Sequence, residues 1–567
     1  MVMQNMKFRL EEIHHHQSAN YVPLTPINFL ERAATLYGNK TSIVYGSLTY
    51  SWKQTYQICL RLASALAGHL KISRGDIVAA MAPNIPALYK LHFAVPMVGA
   101  VLSALNTKLD ADNLASILEQ LEAKIMFVDY QFVELVFKAL DLLSKRKSKP
   151  PLIVIIPDQL SSNDQPNIST TTNILPSQGI LDYNIMLEMG KSFDFEIVQP
   201  ENENDPISVN YTSGSTGDPK GVVYSHRGAY LNSLAQISRF EMREMVVFLW
   251  TVDMFRCNGW CCTWAMAALG GTNICLREVS AGLIFDSILV HQVTHLCGPP
   301  TLLNIIANAP DLETNDQQKR PFPTNVNVLI AGVLPVAQVV EKVAKIGFNI
   351  GHAYGMTEVL GPAIVRPWKL LECCNNPGKI YEGLHSVLID GVDVKDPNSM
   401  KSVPSDGITL GEVMFKTNTL MLGYLKNPKA THEAFKNGWF HTGDLAVKNP
   451  VDGYIEIKDR KKDIIVSGVE TISTLEVEAI LLSNPKVLEA AVVGKADDEL
   501  KQVPCAFVKL KVGCEVNAEE LVEFCGDHLP SHMVPRAIVF GDIPVNSTGK
   551  VQKFILRERA NALNTIT

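Results

Sequence analysis

The sequence lacks the features that mark several large classes of protein. Its 567 residues carry 51 Lys and Arg against 58 Asp and Glu, a formal net charge of -7, so it has no basic field for nucleic acid. No segment reaches the ~18 consecutive apolar residues of a membrane-spanning helix. Charged residues precede any apolar run at the N-terminus, so no secretory signal is expected. We therefore expect a soluble protein without a nucleic-acid partner.

The cysteines occur in no pattern that indicates a disulfide framework or a zinc site. The eleven cysteines are odd in number, include two adjacent pairs at Cys261, Cys262, Cys373 and Cys374, and show no C-x-x-C spacing. Free thiols in a reducing compartment are expected. Residues 565–567 are not an S-K-L type of peroxisomal address, so we expect a cytoplasmic protein, with the peroxisome as the alternative.

What the sequence does have is a globular composition with alternating patterns. Hydrophobic residues make up 47% and charged residues 19%, enough to bury large cores in several domains. Apolar runs rich in Val, Ile and Leu, such as residues 152–156 and 327–331, alternate with helical patterns such as residues 51–70 and 114–123. This alternation predicts α/β layers with parallel sheets.

A glycine- and hydroxyl-rich segment at residues 211–221, YTSGSTGDPKG, is suited to holding phosphate. Its glycines let backbone N–H groups approach an anion, and its hydroxyls and Lys220 add donors and charge. It is not a Walker P-loop, because Pro219 and Gly221 stand where that motif requires Gly and then Ser or Thr. Taken alone, the segment fits a surface loop equally well.

Four further motifs follow in order. The segment YGMTE at residues 354–358 combines a ring, a hydroxyl and a carboxylate, which suits base stacking and Mg²⁺. Asp444 in WFHTGDL suits the two hydroxyls of a ribose, or is a turn aspartate. The charge cluster at residues 459–463 predicts a hinge to a small domain, or is a surface turn. Lys550 follows a glycine turn that would hold its ammonium group outward, or is a solvated loop lysine.

In combination the motifs point to one family. TSGSTGDPKG, YGMTE, GWFHTGDLA, KDRKKDIIVSG and STGKVQK make the chain resemble the acyl-activating, AMP-forming adenylate superfamily from residue 21 to Glu558. Stretches such as VVYSHRGAYL, GAVLSALNTKL and CNGWCCTW resemble plant acyl-activating enzymes that ligate CoA to short- or medium-chain fatty acids, benzoate or cinnamate. The resemblance implies an α/β fold: a large N-terminal domain of layered β-sheets and helices (residues 1–459) and a small mobile C-terminal α/β cap (residues 460–567).

The resemblance implies an ATP-dependent carboxylate–CoA ligase, an acyl-CoA synthetase. A small aliphatic or aromatic acid attacks the α-phosphate of ATP, which gives an acyl-adenylate and pyrophosphate. The CoA thiolate then displaces AMP after the cap has rotated about a hinge at residues 460–463, centred on Lys462. ATP, Mg²⁺ and CoA are therefore the implied cofactors and co-substrates. The resemblance leaves the identity of the acid and the oligomeric state open.

The resemblance also assigns roles to residues. Catalytic roles fall to Lys550, Thr357 and Glu358, and Glu358 is also the implied Mg²⁺ ligand. The implied nucleotide-binding residues are Thr212, Ser213, Gly214, Ser215, Thr216, Gly217, Lys220, Gly332, Val333, Tyr354, Gly355, Asp444 and Arg460. The implied acyl-pocket residues are Arg256, Cys257, Asn258, Gly259, Trp260 and Leu360. The implied CoA-channel residues are Ser467, Gly468, Val469 and Glu470.

Several departures from the family lie on the acyl and CoA sides. Plant relatives usually read M-F-H-x-N-G-W where this chain has Arg256 in place of the histidine. An arginine there could pair with the reacting carboxylate or a second acidic group, or swing outward and enlarge the pocket. Altered residues also stand at Val333, Val469, Thr471 and Lys501. They motivate one alternative, transfer of the adenylate to a nucleophile other than CoA.

A second alternative is a diverged paralogue that binds nucleotide or a partner without turnover. The retained Lys550 and Glu358 argue against it, because drift without selection for catalysis would have reached them too.

Overall fold

The protein is built from layered sheets and helices. A computed structural model describes residues 21–160, 180–193, 195–212, 219–243, 245–309, 325–332, 337–366, 391–451, 453–546 and 550–563. The strands are β1 Thr41–Tyr45, β2 Leu48–Ser51, β3 Ile77–Met81, β4 Val101–Ala104, β5 Ile125–Asp129, β6 Leu152–Ile156, β7 Ile180–Asp182, β8 Pro206–Tyr211, β9 Gly221–Ser225, β10 Val247–Leu249, β11 Thr272–Ile274, β12 His295–Gly298, β13 Val326–Ala331, β14 Phe348–Met356, β15 Gly361–Arg366, β16 Gly391–Lys395, β17 Gly411–Lys416, β18 Gly423–Tyr424, β19 Phe440–Lys448, β20 Ile455–Arg460, β21 Ile465–Ser467, β22 Glu470–Ile472, β23 Val487–Asp497, β24 Lys501–Leu510 and β25 Ala537–Phe540.

Helices alternate with these strands over much of the chain. They are α1 Ile27–Leu36, α2 Trp52–Gly68, α3 Pro86–Ala94, α4 Ala111–Leu121, α5 Val133–Lys145, α6 Tyr183–Met189, α7 His226–Arg239, α8 Cys262–Leu269, α9 Ala281–His291, α10 Thr301–Ala307, α11 Ala337–Lys345, α12 Pro428–Ala434, α13 Thr474–Ser483, α14 Ala518–His528 and α15 Lys553–Ala562. The helix predicted over residues 51–70 is α2. Its N-terminus is fixed by a capping box, in which the Ser51 hydroxyl accepts from the Gln54 N–H and the Gln54 side chain accepts from the Ser51 N–H.

Two eight-stranded sheets form the bulk of the large region. Their orders are β15-β14-β13-β12-β10-β11-β1-β2 and β18-β9-β8-β4-β3-β5-β6-β7. The inner strands pair in parallel, whereas the edges, β14–β15, β1–β2 and β8–β9–β18, are antiparallel. Continuous apolar runs mark the inner strands because helices cover both faces; β5, for example, is buried along its whole length.

A third sheet departs from the predicted parallel pattern. The order β16-β17-β19-β20 is antiparallel throughout. The helix–strand alternation that predicted parallel sheets does not extend to this part of the chain, where strands β19 and β20 follow each other without a helix. This sheet carries Asp444 and Arg460.

The C-terminal part has a hydrophobic core of its own. That core includes Ile465, Leu481 and Val508 and lies between α13, α14 and the sheet β23-β24-β25. A separate core favours an independent domain, and the boundary at residues 460–463 stays a prediction.

Two further properties bear on the expected environment of the protein. Every cysteine that the described residues contain is a free thiol, and all of them except Cys514 are buried. Among the same residues, no helix has both the length and the apolar character needed to cross a membrane.

Candidate active site

The candidate site lies where the ends of β8 and β14 meet the third sheet and the C-terminal part. In open α/β sheets, ligands bind beyond the carboxyl ends of the parallel strands. Thr212 follows β8, and β14 ends at Met356, directly before Thr357 and Glu358. The predicted phosphate and adenine residues Ser213, Gly214, Ser215, Thr216, Gly217 and Val333 lie outside the described residues.

The two ends of the glycine-rich segment are fastened to each other. The backbone N–H of Thr212 donates to the carbonyl of Lys220 at 3.0 Å, and the N–H of Lys220 donates to the Thr212 hydroxyl at 3.1 Å. The next residue, Gly221, accepts a hydrogen bond from the Leu425 N–H at 2.7 Å. A loop closed in this way holds Thr212 and Lys220 at its neck.

Tyr424 connects this neck to the predicted metal ligand, and sequence reasoning did not find it. Its hydroxyl donates to Oε1 of Glu358 at 2.8 Å, while the Lys220 ammonium group lies over its ring, 5.0 Å from the centroid. Burial and the Glu358 carboxylate raise the pKa of Tyr424, so the phenol keeps its proton and remains a donor. The sequence offered no signal, because Tyr424 is 66 positions from Glu358.

The segment that carries Thr357 and Glu358 is fixed by its backbone. The hydroxyl of the buried Tyr224 donates to the carbonyl of Thr357 at 2.7 Å, and the Met421 N–H donates to the carbonyl of Glu358 at 2.9 Å. Both side chains are half-buried. The hydroxyl and the carboxylate are therefore held in place while they remain accessible to a ligand.

Gly355 is required by close backbone contact. A Cβ at this position would lie 1.9 Å from the carbonyl oxygen of Gly361 on the neighbouring strand β15. The pairing register shifts between Tyr354 and Gly355. Such irregularities often occur beside active sites, where they redirect side chains. Gly332, at the end of β13, is exposed and has a φ of 121°, which only glycine adopts readily.

Asp444 and Arg460 are cross-strand neighbours. They face each other in the antiparallel pair β19–β20, with Arg460 Nε 3.6 Å from Asp444 Oδ1. The Tyr354 hydroxyl donates to the other carboxylate oxygen, Oδ2, at 2.7 Å. Burial raises the pKa of Asp444, whereas the charge of Arg460 and the hydrogen bond from Tyr354 lower it. The Tyr354 ring lies nearly parallel to that of Phe415, with their centroids 6.3 Å apart.

Lys550 brings the C-terminal part to this group of charges. Burial lowers the pKa of Lys550, and the charges of Arg460 and Arg256 lower it further, whereas Asp444 and Glu358 raise it. All four residues therefore lie within electrostatic reach of its ammonium group. The side chain of Lys550 keeps exposed surface, so it remains accessible to a ligand.

Arg256 is held locally. Its Nε lies 2.9 Å from Asp253 Oδ2, and its guanidinium group lies over the Phe255 ring, 5.3 Å from the centroid. Its charge nevertheless reaches Lys550. Arg256 is thus held by the Asp253 carboxylate at a position from which its charge acts on the predicted catalytic lysine.

The predicted acyl-pocket residues form an unusual turn. Five consecutive residues, from Cys257 to Cys261, have left-handed φ values of 44°, 47°, 60°, 46° and 63°. Only one of them is a glycine, and each of the others costs about 1–2 kcal/mol in this conformation. The glycine, Gly259, has no alternative, because a Cβ there would lie 2.6 Å from the Trp250 ring. Strain of this kind persists where surrounding contacts fix it.

The second acyl-pocket segment faces this turn. Leu360 is also left-handed, with a φ of 63°, and it is fully buried. The next residue, Gly361, comes so close that a Cβ there would lie 3.5 Å from the Trp260 side chain. The structure thus brings together all the residues predicted for the acyl pocket.

The predicted CoA-channel residues lie on the hairpin β21–β22. Ser467 pairs with Glu470, and the Gly468 N–H donates to the carbonyl of Leu500 at 2.7 Å. Val469 at the tip is 97% exposed. Lys501, the first residue of β24, has a φ of 70°, a conformation that favours glycine.

The predicted hinge is tied to the last helix of the C-terminal part. The Arg557 guanidinium group donates to the carbonyl of Lys462 at 3.0 Å and contacts the Asp463 carboxylate. Burial lowers the pKa of Lys462.

The donor set fits Mg²⁺ bound together with a phosphate ligand. No group of three or more His, Cys, Asp or Glu side chains suited to a metal occurs in the part of the chain that the structure describes. Mg²⁺ does not need one, since it is usually held by one or two carboxylates, substrate phosphates and water. Glu358 supplies such a carboxylate.

The chain matches two models of known protein families. The model of the AMP-binding enzyme family matches residues 30–425, and that of the AMP-binding enzyme C-terminal domain matches residues 476–550. The chain belongs to the AMP-binding enzyme family. Membership confirms the superfamily that the motifs predicted.

Curated relatives of this AMP-binding enzyme are plant CoA ligases. Acetate–CoA ligase CCL3 of Humulus lupulus is 45% identical over 562 residues, 97% of each chain. The peroxisomal butyrate–CoA ligase AAE11 of Arabidopsis thaliana is 46% identical over 558 residues, 96% of this chain and 94% of the relative. The peroxisomal trans-cinnamate:CoA ligase of Petunia hybrida is 43% identical over 564 residues, which cover 96% of this chain and 95% of the relative. These relatives confirm the predicted class, an AMP-forming acid–CoA ligase.

Solved structures confirm the fold. The anthranilate CoA ligase AuaEII in complex with anthranoyl-AMP superposes with a TM-score of 0.81 at 22% identity, covering 97% of this chain and 100% of that one. The o-succinylbenzoate–CoA synthetase of Bacillus subtilis in complex with AMP gives a TM-score of 0.77 at 23% identity, covering 94% and 98%. The α/β fold with a large N-terminal and a small C-terminal part is thereby confirmed.

Proposed function

We propose that this AMP-binding enzyme joins a small aliphatic or aromatic carboxylic acid to CoA, with ATP as the activating substrate. One observation carries the proposal: Asp444 lies 3.6 Å from Arg460 and accepts from the Tyr354 hydroxyl at 2.7 Å, and the charge of Lys550, from the C-terminal part, acts on the same group. The relatives at 43–46% identity are named for acetate, butyrate and trans-cinnamate. A small acid, aliphatic or aromatic, is the class that these names share.

Adenylation is the first step of the proposed reaction. A carboxylate oxygen of the acid attacks the α-phosphorus of ATP, a new O–P bond forms, and pyrophosphate leaves. This chemistry needs positioning and charge stabilisation rather than a protein nucleophile. Lys550 supplies a cation for the charge that develops, and the Thr357 hydroxyl donates to the α-phosphate.

The nucleotide is held by groups on both sides of the cleft. Asp444, oriented by the Tyr354 hydroxyl, accepts from the ribose hydroxyls, and Arg460 lies on the same side. Lys220 and Thr212, with the predicted loop residues 213–217, bind the β- and γ-phosphates. Gly332, Gly355, Tyr354 and the predicted Val333 border the adenine.

Glu358 is the residue that would hold Mg²⁺. Bound there together with the phosphates, Mg²⁺ would supply positive charge that offsets the phosphate charge. Tyr424 keeps the Glu358 carboxylate in position through the 2.8 Å hydrogen bond to its Oε1.

Transfer to CoA is the second step. The cap, residues 460–567, rotates about Lys462 and withdraws Lys550, so that one site serves two reactions. The thiolate attacks the acyl carbonyl carbon, a C–S bond forms, and AMP leaves with the electron pair of the broken C–O bond. Ser467, Gly468, Val469 and Glu470 then line the thiol path.

A nucleophile other than CoA is the second candidate acceptor. Two observations motivate it: Lys501, the first residue of β24, takes a glycine-like φ of 70°, and Val469, at the tip of the hairpin β21–β22, is 97% exposed. The non-catalytic alternative is disfavoured by the assembled charges around Lys550.

One screen separates these possibilities. Pyrophosphate release is measured over short, medium, branched and aromatic acids, each with and without CoA, and mass spectrometry identifies the products. A thioester with CoA, lost in Lys550→Ala, supports the ligase. An acyl-adenylate that accumulates without any thioester would refute CoA as the acceptor. If no acid gives pyrophosphate release, the proposal that the protein catalyses adenylation is refuted.

The compartment belongs to the proposal as well. The sequence favours the cytoplasm, but several relatives are named peroxisomal, which favours the peroxisome. Co-localisation of the chain, tagged only at its N-terminus, with a peroxisomal marker in plant cells would decide between the two.

A further inference from the structure

Helix α7 carries a row of buried polar side chains that face the proposed acyl pocket. Asn232, Gln236 and Arg239 are spaced by four and three residues, so they lie on one face of the helix. Each is at most 5% exposed. Buried polar groups, and a buried charge above all, are unfavourable unless they are hydrogen-bonded. Their retention in an apolar core needs a reason.

The row grips the main chain of both acyl-pocket segments. The Gln236 amide donates to the carbonyl of Trp260 at 3.2 Å, and the Asn232 amide donates to the carbonyl of Leu360 at 2.7 Å. The Asn232 amide also lies 3.3 Å from the Cys261 sulfur. These bonds reach the left-handed residues themselves, which are the positions where the backbone is strained.

Arg239 contacts the other two side chains of the row. Its Nη1 donates to the carbonyl of Pro362 at 2.8 Å and to Oδ1 of Asn232 at 3.0 Å, and it lies 3.5 Å from Oε1 of Gln236. Burial lowers the pKa of Arg239 to about 10, which still leaves it charged at neutral pH. One guanidinium group thus orients both amides so that their N–H groups point at the pocket segments.

A second set of bonds fixes the other side of the turn. The Asn258 N–H donates to Asn210 Oδ1 at 2.7 Å, and the Ser208 hydroxyl donates to Asn258 Oδ1 at 2.8 Å. Both partners belong to β8, the strand that leads to the phosphate-binding segment. The turn is therefore held to the rigid sheet on one side, and the position of Trp260 is set by α7 on the other.

We propose that Asn232, Gln236 and Arg239 are positioning residues that set which acids the enzyme accepts, although none of them forms part of the proposed pocket wall. The inference rests on the proposed acyl pocket. The row fixes the main chain at Trp260 and Leu360, two of the predicted acyl-pocket residues, and so sets where their side chains stand in the proposed pocket. When the hydrogen bond to the carbonyl of Trp260 or Leu360 is lost, the strained backbone there relaxes and the side chain moves. The proposed pocket then favours bulkier acids over acetate.

The test compares two variants of the row with a matched control on the same helix. Gln236→Met removes the amide at nearly constant shape, and Arg239→Lys keeps the charge but loses the fork. Ser233→Ala is the control, because Ser233 is equally buried and, among the residues that the structure describes, its hydroxyl bonds to the Ala229 carbonyl of the same helix, at 2.7 Å.

The readout is affinity for non-hydrolysable acetyl-, butyryl- and benzoyl-sulfamoyl-adenosine, together with KM for ATP. We expect the ratio of affinities for the benzoyl and acetyl analogues to change by about tenfold or more in both variants, which is the discrimination that one methylene group gives in an apolar pocket. KM for ATP should stay unchanged, and Ser233→Ala should keep the wild-type ratio. An unchanged preference in folded variants overturns the proposal, as does an equal shift in Ser233→Ala or an equal loss for every analogue.

A crystal structure of Gln236→Met provides a readout without any ligand. Departure of Trp260 from the left-handed region supports the proposal, and an unchanged turn overturns it. If Gln236→Met does not fold, the same comparison is made with Arg239→Lys. Absence of thioester formation by the wild type would refute the proposed ligase function alone, because neither the crystal structure nor analogue binding requires CoA.

Discussion

Removing the hydroxyl of Tyr424 tests how the site holds Mg²⁺. This hydroxyl donates to Glu358 Oε1 at 2.8 Å, and the ring beneath Lys220 is a separate contact, with the ammonium group 5.0 Å from its centroid. Tyr424→Phe deletes the hydrogen bond and keeps the ring. Any effect of this variant therefore reports on the orientation of the Glu358 carboxylate.

The expected size follows from the charge on the acceptor. A hydrogen bond to an ionised group contributes about 1.5–3 kcal/mol, and each ~1.4 kcal/mol corresponds to a factor of ten. Partners that orient metal-binding carboxylates typically change metal affinity about 10–100-fold. We therefore expect the Mg²⁺ concentration for half-maximal activity to rise by about 10–100-fold in Tyr424→Phe, with KM for the acid unchanged.

The assay is pyrophosphate release titrated with Mg²⁺ at saturating ATP and acid. Tyr424→Leu also removes the ring, so it should additionally weaken ATP binding through Lys220. The matched control is Tyr230→Phe, whose ring stacks on Phe29 at 4.6 Å. An unchanged Mg²⁺ requirement in folded Tyr424→Phe would show that Glu358 is not a metal ligand or does not depend on this bond.

Four further predictions concern the charged and polar residues of the site. Lys550→Ala should slow adenylate formation by about 10²–10³-fold and thioester formation from preformed adenylate much less; equal losses in single-turnover assays of both steps contradict the cap rotation. Because the pKa of Lys550 is lowered, the ammonium group loses its proton, and activity should decline, at a lower pH than for an ordinary lysine. Arg256→Met removes one cause of the lowered pKa, so the alkaline limb of the pH–rate profile should move to higher pH. An unmoved limb would refute the coupling between Arg256 and Lys550. Reverting Arg256 to His should change the preference across a panel of acids, and an identical profile would place the side chain outside the pocket. Tyr354→Phe leaves Asp444 without its 2.7 Å donor and should raise KM for ATP by about tenfold, with KM for the acid as the control.

Local motifs were sufficient to predict the chemistry. A phosphate-binding segment is formed by contiguous backbone N–H groups, small residues and a nearby lysine, so its whole apparatus is visible within residues 211–221. The same is true of residues 354–358, where a hydroxyl and a carboxylate project from one strand end. The antiparallel sheet that carries Asp444 was missed, because the helix–strand alternation elsewhere in the chain favours parallel pairing.

Contacts between distant segments were beyond the reach of the sequence. Tyr424 was not predicted as a site residue, and Tyr354 was predicted only as a nucleotide-binding residue. The structure shows that they donate to carboxylates 66 and 90 positions away, respectively. The row on α7 resembled any helix with a few polar residues, because its partners are main-chain carbonyls, which exist at every position. Nothing in a sequence distinguishes a carbonyl that a distant amide will meet.

The sequence by itself determined the family, the activation of a carboxylate by ATP and the residue types that perform it, since these depend on motifs read along the chain. Only the tertiary structure decided how these motifs are held: which tyrosines orient Glu358 and Asp444, which carboxylate tethers Arg256, and which helix fixes the strained turn from Cys257 to Cys261. The physical reason is that a hydrogen bond depends on distance and direction, and those are set by the packing of sheets and helices rather than by order along the chain.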